Sequence, residues 1–230
     1  MDASAENTHD FRVKRAATTM RQSVTESIRQ AIALGHYKAG DRMPERDLCE
    51  MTGVSRTLVR EALRQLESEG LITVVAHKGP TVARISAREA NGVYEVREVL
   101  ESLAAKLFAE NATDKDIRDI EAALERIREA YLHGNVLDRL AAKNHFYDCL
   151  IAGSGNEALG QSLYMINSRT MILRGRSLQM PNRWKESLKE LSALIEALKK
   201  RDPEDAHRLA CHHVRKAAES AMQSFSEDEA

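Results

Sequence analysis

Three arginines, Arg56, Arg60 and Arg64, recur at four-residue spacing within residues 44–75, and Ser55 and Thr57 flank the first of them. Four-residue spacing keeps side chains on one face of a helix. A guanidinium can bond guanine O6 and N7 together, and hydroxyls can bond phosphate oxygens. Gathered in the N-terminal half of one helix, these groups suit a phosphate backbone and base edges. Val59, Ala62, Leu63 and Leu66 fall on the opposite side and supply an apolar stripe for packing. A solvated arginine face is the competing reading of the arginines taken alone.

The flanking elements decide between the two. A short helix beginning near Arg46, a tight turn at Thr52-Gly53 and a second helix starting at Ser55 read as helix–turn–helix, closed by Glu69-Gly70 with glycine after the last turn. Residues 71–75 and 81–85 alternate and are β-branched, so two strands are expected there. Residues 76–80 between them form a wing with Lys78 and Gly79 at its tip. A helix over about 19–34, with Val24, Ile28, Ala31 and Ile32 on one face, precedes the motif. The unit is a winged helix–turn–helix over 18–85, and its expected DNA-binding residues are Arg46, Ser55, Arg56, Thr57, Arg60, Lys78 and Gly79. Charge agrees: residues 12–84 carry 13 Lys and Arg against 8 Asp and Glu, although the whole chain has a net charge of -1.

Residues 1–17 are polar and read as a disordered tail in which Arg12, Lys14 and Arg15 cluster. From Ser86 the pattern changes to helix throughout. Ser86 and Glu89 form a capping box, and helices are expected at about 86–111, 114–133, 136–152, 156–180, 183–201 and 203–225, followed by a tail at 226–230. Thr113 and Asn135 are N-cap residues, Gly134 and Gly153 stand at helix ends, and Asp202-Pro203 opens the last helix. The expected fold is mainly α: the winged unit plus an all-α bundle of about six helices.

Cys49, Cys149 and Cys211 are scattered and odd in number, which excludes a disulfide framework. There is no signal-peptide pattern and no apolar run of membrane-spanning length, so a cytoplasmic protein is expected. Nucleophile–base pairs, glycine-rich phosphate loops and catalytic carboxylate pairs are absent at motif spacing, which argues against an enzyme.

Four polar residues interrupt or line apolar stripes of the bundle. Lys143 and Tyr147 share a stripe with Val136, Leu140 and Leu150; Arg97 lies with Val93, Val96 and Leu100; His213 lies with Leu209 and Ala217. Buried charge needs a partner, so these cations call for an anion, supplied by a ligand or by the protein. In the second case Arg97 pairs with Glu101 one turn on, and Lys143 extends to solvent.

Several motifs carry a resemblance. Gly40-Asp41-Arg42-Met43, Glu45-Arg46-Asp47-Leu48, the run from Gly53 through Ser55, Arg56 and Arg60 to Leu63, the run from Leu66 to Ile72, and Lys78-Gly79 resemble the N-terminal domain of GntR-type bacterial transcription regulators. Leu58 stands where that family often has proline. Glu95 to Glu101, Phe146-Tyr147, Ser154-Gly155-Asn156 and Ala197 to Asp202, with Ala206 and His213 behind, resemble the FCD ligand-binding domain of the FadR subfamily. The resemblance covers about residues 19–220. It implies a homodimer on an inverted-repeat DNA operator, repressor by default, with Arg46, Arg56, Arg60 and Gly79 at DNA-contacting positions.

For the FCD domain, residues 86–225, the resemblance implies a divalent metal on one aspartate and three histidines. Those positions fall here on Lys143, Tyr147, Leu191 and His213, so loss of the metal site, with no cofactor, is expected. Lys143 would replace the metal's charge. The expected effector is a small carboxylate-type anion held by Arg97, Lys143, Tyr147 and His213. Two other readings stand beside this one: a divergent metal site using Asn144, His145, Asp148, Cys149, Cys211 or His212, on a different face from Tyr147, and a DNA-binding dimer whose sensor domain is degenerate and empty.

Overall fold

The structure, a computed structural model, describes residues 16–33, 35–179 and 182–228. The cluster from Arg12 to Arg15 lies outside them. Within them the element order is α1 (Ala16–Ala33), α2 (Glu45–Thr52), α3 (Arg56–Ser68), β1 (Ile72–Val75), β2 (Gly79–Val82), α4 (Ala87–Asn111), α5 (Asp114–His133), α6 (Val136–Ser154), α7 (Glu157–Gln179), α8 (Arg183–Lys199) and α9 (Pro203–Asp228).

The helix–turn–helix follows from its end signals. Gly53 adopts φ 69° after α2, and its N–H bonds the Cys49 carbonyl. At the end of α3 the N–H groups of Leu71 and Gly70 reach back to the carbonyls of Leu66 and Glu67, a pattern that places Gly70 at φ 71°. The apolar side of α3 (Val59, Ala62, Leu63 and Leu66) packs with Val24, Ile28, Met43 and Leu48 into one core. Arg29 of α1 is buried and donates to Glu69 at 2.8 Å, which ties α1 to the end of α3.

β1 and β2 pair antiparallel, Ile72 with Val82 and Val75 with Gly79. The second strand therefore begins two residues earlier than expected, and residues 83–85 leave the ladder. The turn is shortened to Ala76, His77 and Lys78 because His77 and Gly79 both take positive φ, 63° and 78°. Arg42 bridges Thr81 on the far side of β2.

Helices α4 to α9 form the bundle, with α4 against α9 and α6, and α5 against α6 and α8. Capping boxes at Ser86–Glu89, Thr113–Asp116 and Asn135–Asp138 set three helix starts, and Asp202 caps the N–H of Asp205 for α9. Phe108, Ile120, Ile127, Phe146, Leu150, Leu191 and Leu198 centre the core. Two boundaries differ from expectation at the termini: α1 already includes Ala16 and Ala17, and α9 continues to Asp228.

Gly153 is not a helix end. It lies inside α6, buried, and Gly155 at φ 68° ends the helix. A Cβ on Gly153 would overlap the ring of the fully buried Phe108. Gly153→Ala should therefore destabilise by about 1–3 kcal/mol through overpacking, read as a lowered Tm by calorimetry. An unchanged Tm would show that the Phe108 ring is free to move.

Candidate nucleic-acid interface and charged sensor core

The N-terminal turn of α3 presents Ser55, Arg56, Thr57 and Arg60, all exposed. Ser55 is the N-cap residue by position, yet its side chain makes no cap bond, so its hydroxyl is not committed to the helix. Arg60 bonds both carboxylate oxygens of Glu45 through Nε, at 2.8 and 2.9 Å. That pair crosses from α3 to the first turn of α2, and it is exposed, so it fixes the side chain weakly and can open to another acceptor. Arg46 is exposed, with Asp47 and Glu50 each 3.6 Å from Nε. Lys78 is exposed at the wing tip and Gly79 is half-buried. Glu45, the partner of Arg60, was not singled out from the sequence; as the first acid of α2, it had a place in the Glu45-Arg46-Asp47-Leu48 motif that was the available signal.

The bundle places the four expected effector residues in buried polar surroundings. Arg97 is 1% exposed and pairs with Glu101, Nε to Oε1 at 2.8 Å, and its guanidinium lies over the Tyr94 ring. The pairing one turn on is thus the one formed, and the carboxylate is as deeply buried as the cation. Lys143 is 5% exposed and donates to Ser187 at 2.6 Å, so it does not extend to solvent. Tyr147 packs edge-on against Phe146 and lines a cavity of about 510 Å³ between α1, α4, α6 and α7, together with Glu26, Glu101, Asn144 and Thr170. Asn144 and Asp148 line this same cavity, contrary to the expectation that they face away from Tyr147.

His213 sits beyond Lys143 and meets a residue the sequence reading passed over. Its Nδ1 is 2.6 Å from the Glu190 carboxylate, which Arg183 also grips through both terminal nitrogens at 2.9 and 2.8 Å. Burial, reinforced by the ammonium of Lys143, holds His213 down to about 4 against the Glu190 contact. The imidazole is therefore neutral, and Nδ1 must carry the proton that Glu190 accepts. Burial pushes Glu190 upward, but the bonds from His213 and Arg183 outweigh it and bring it down to about 2. Arg183, Ser187 and Glu190 recur at spacings of four and three, a polar stripe beside the apolar one, and that periodicity was the missed signal.

This set does not fit the divalent metal implied by the resemblance. An ammonium occupies one position, and Leu191 is fully buried in the apolar core. Among the described residues no group of three His, Cys, Asp or Glu side chains gathers as a metal site. His145 instead contacts Cys149, and His207 contacts Cys211, each at 3.8 Å.

Residues 20–82 match the family described as bacterial regulatory proteins, gntR family, and residues 92–216 match the FCD domain. The uncharacterized HTH-type transcriptional regulator YdhC of Bacillus subtilis (strain 168) is 28% identical over 205 residues, which cover 86% of this chain and 92% of that protein. The probable D-xylose utilization operon transcriptional repressor of Paenarthrobacter nicotinovorans is 27% identical, covering 86% of each. Among solved structures, E. coli McbR/YncC shares the fold with a TM-score of 0.80, over 90% of this chain and 98% of that one, at 22% identity.

The neutral His213 gives a signed pH dependence. Its folded value lies near 4 against an ordinary 6.5, so the unfolded chain takes up the proton first on acidification. The stability it contributes is full above pH 6.5 and is lost as the pH falls towards 4, a loss on the order of 3 kcal/mol. Glu190 extends the loss from about 4.5 towards 2. Denaturant midpoints against pH should show this slope, and His213→Asn should flatten it between 6.5 and 4 whatever its absolute stability; an unaltered slope would mean that His213 is not the group responsible.

Proposed function

The chain belongs to the gntR family of bacterial regulatory proteins, with an FCD domain as its helical half, and on that premise we propose that it binds an inverted-repeat operator as a homodimer and acts as a repressor. The family is one of DNA-binding transcriptional regulators rather than enzymes. The observation that carries the reading is the exposed N-terminal turn of α3, which presents Arg56, Thr57 and the Ser55 hydroxyl, with Arg60 in an exposed pair with Glu45. Arg46, Lys78 and Gly79 supply the backbone contacts that set register. Repression is supported by relatives named as repressors of a D-xylose utilization operon and of a galactonate operon. Two-fold assembly is supported by Val96, Val99 and Leu103, exposed at helical spacing on α4. No helix among the described residues is long and apolar enough to cross a membrane.

The effector, on this reading, is a small carboxylate-type metabolite. The bundle buries Arg97, Lys143 and Arg183, and two of the three guanidinium or ammonium groups keep a donor atom that no described residue accepts: Nη1 of Arg97 and Nε of Arg183. Arg97, Lys143, Tyr147 and His213 are then the buried polar residues that hold it. One observation favours a second reading, an empty sensor: Glu101 and Glu190 already serve as internal counter-charges. A thermal-shift screen of carboxylic acids separates them, since the empty sensor predicts no stabilisation by any acid and a neutral Lys143→Ala.

Against an operator selected from random duplexes, Arg60→Ala should lower affinity by about tenfold or more, while light scattering still reports a dimer. Lys78→Ala should weaken binding across sequences and reduce the salt slope by about one. Unchanged operator affinity in the Arg60 variant would refute the assignment of α3 as the reading helix.

A further inference from the structure

Glu45 holds Arg60 by one edge only. Both of its carboxylate oxygens take the single N–H of Arg60 Nε, at 2.8 and 2.9 Å. A guanidinium carries five N–H groups, and the other four sit on the two terminal nitrogens. Among the described residues none of those four has an acceptor. Bonded end-on, through one N–H of each terminal nitrogen, a guanidinium takes guanine O6 and N7 together. The carboxylate therefore grips the donor that end-on base reading leaves unused.

The packing beneath fixes both ends of the pair. Glu45 is the first residue of α2, and Arg60 stands one turn into α3. Leu48, on the turn of α2 after Glu45, and Val59, beside Arg60, are fully buried in the core that joins the two helices. The neighbouring arginines are not aimed in this way. Arg56 and Arg64 are exposed and pair with no acid among the described residues, and Arg46 meets Asp47 and Glu50 only at 3.6 Å. Those side chains are free to follow phosphates.

A carboxylate beside a duplex repels phosphates and so lowers affinity for every sequence alike. What it adds is discrimination. An unheld Arg60 satisfies itself on a phosphate whatever the sequence; held through Nε, it gains two more bonds only where guanine presents both acceptors. In water the exposed pair holds weakly, but a duplex laid over α3 excludes water from it, and the attraction rises as the local dielectric falls.

We propose that Glu45 is a specificity-determining positioning residue, which stays bonded to Arg60 Nε on the operator, turns the two terminal nitrogens towards a guanine in the major groove and keeps them off phosphate. The proposal rests on reading α3 as the DNA-contacting helix and adds what sets its selectivity.

The test uses the full chain and the operator selected from random duplexes, with each base pair substituted in turn. The pair at which Arg60→Ala no longer discriminates is the one that Arg60 reads. At that pair Glu45→Gln, which keeps the size of the side chain, should lower the preference for operator over substituted duplex by about tenfold and leave preferences at other positions unchanged. It should also raise affinity for unrelated duplex and steepen the salt slope by about one, as the released Arg60 finds a phosphate. In the Arg60→Ala background the same change should alter no preference, because a positioning residue acts through the side chain it holds. A ratio of affinities does not depend on the fraction of protein folded, so a small loss of stability leaves the readout intact. The proposal is overturned if Glu45→Gln keeps the full preference at that pair, lowers preference at every position alike, or has the same effect without Arg60. If Arg60→Ala singles out no pair, the reading helix and the role of Glu45 fall together; if it singles out a pair that Glu45→Gln does not touch, the role of Glu45 falls alone.

Discussion

Burying guanidinium groups and an ammonium inside one helical bundle obliges the chain to bury negative charge or polar partners beside them. Glu190 meets that demand for Arg183 while accepting the Nδ1 proton of the neutral His213, and Glu101 meets it for Arg97. Breaking such a pair from one side leaves an uncompensated charge, at a cost of about 3–5 kcal/mol. Both guanidinium pairs lie within one helix, Arg97–Glu101 in α4 and Arg183–Glu190 in α8, while the Lys143–Ser187 bond joins α6 to α8 and the His213–Glu190 bond joins α9 to α8. Phe108, Phe146 and Leu191 belong to the apolar core that brings the helices together, and the two cross-helix bonds add a polar match between α8 and its neighbours α6 and α9.

The two halves meet at the end of α3. Glu69, which ends α3, is held by Arg29 of α1, and Arg29 also pairs with Glu26 at the wall of the 510 Å³ cavity of the bundle. Gly70 follows at a left-handed φ, and the Arg169 guanidinium of α7 fills the space where a Cβ would stand. The left-handed φ is what calls for glycine there, since the Arg169 guanidinium is the far end of a flexible side chain and can move aside. Movement of α7 or α1 would be felt at the C-terminal end of α3 rather than at its N-terminal turn.

The helix–turn–helix was legible because its signals are local: glycine after α2, a serine before α3, and an apolar stripe at helical spacing. Most bundle helices were legible for the same reason, through capping pairs such as Thr113 with Asp116. The second strand slipped because Gly79 and Pro80 read as turn residues, whereas positive φ at His77 closes the turn earlier and lets both join the ladder. Gly153 was misplaced because a glycine required by the Phe108 ring looks in sequence like one required by a helix end; only the packing tells them apart. The chemistry of the sensor was half visible. Arg97, Lys143, Tyr147 and His213 stood out as polar residues on apolar faces, but Glu190, beside the core residue Leu191, was not singled out. Its partners come from elsewhere on α8 and from α9, and one-dimensional spacing does not show that pairing.

The central claim is that an ionised Glu190 is the buried counter-charge of Arg183 and holds a neutral His213 by accepting its Nδ1 proton. Nitrogen-detected magnetic resonance of labelled histidine measures it directly. The account predicts that the His213 ring remains neutral, with its proton on Nδ1, until the pH falls to about 4. A His213 signal that titrates at or above the ordinary 6.5, or a ring protonated on Nε2 alone, would contradict it.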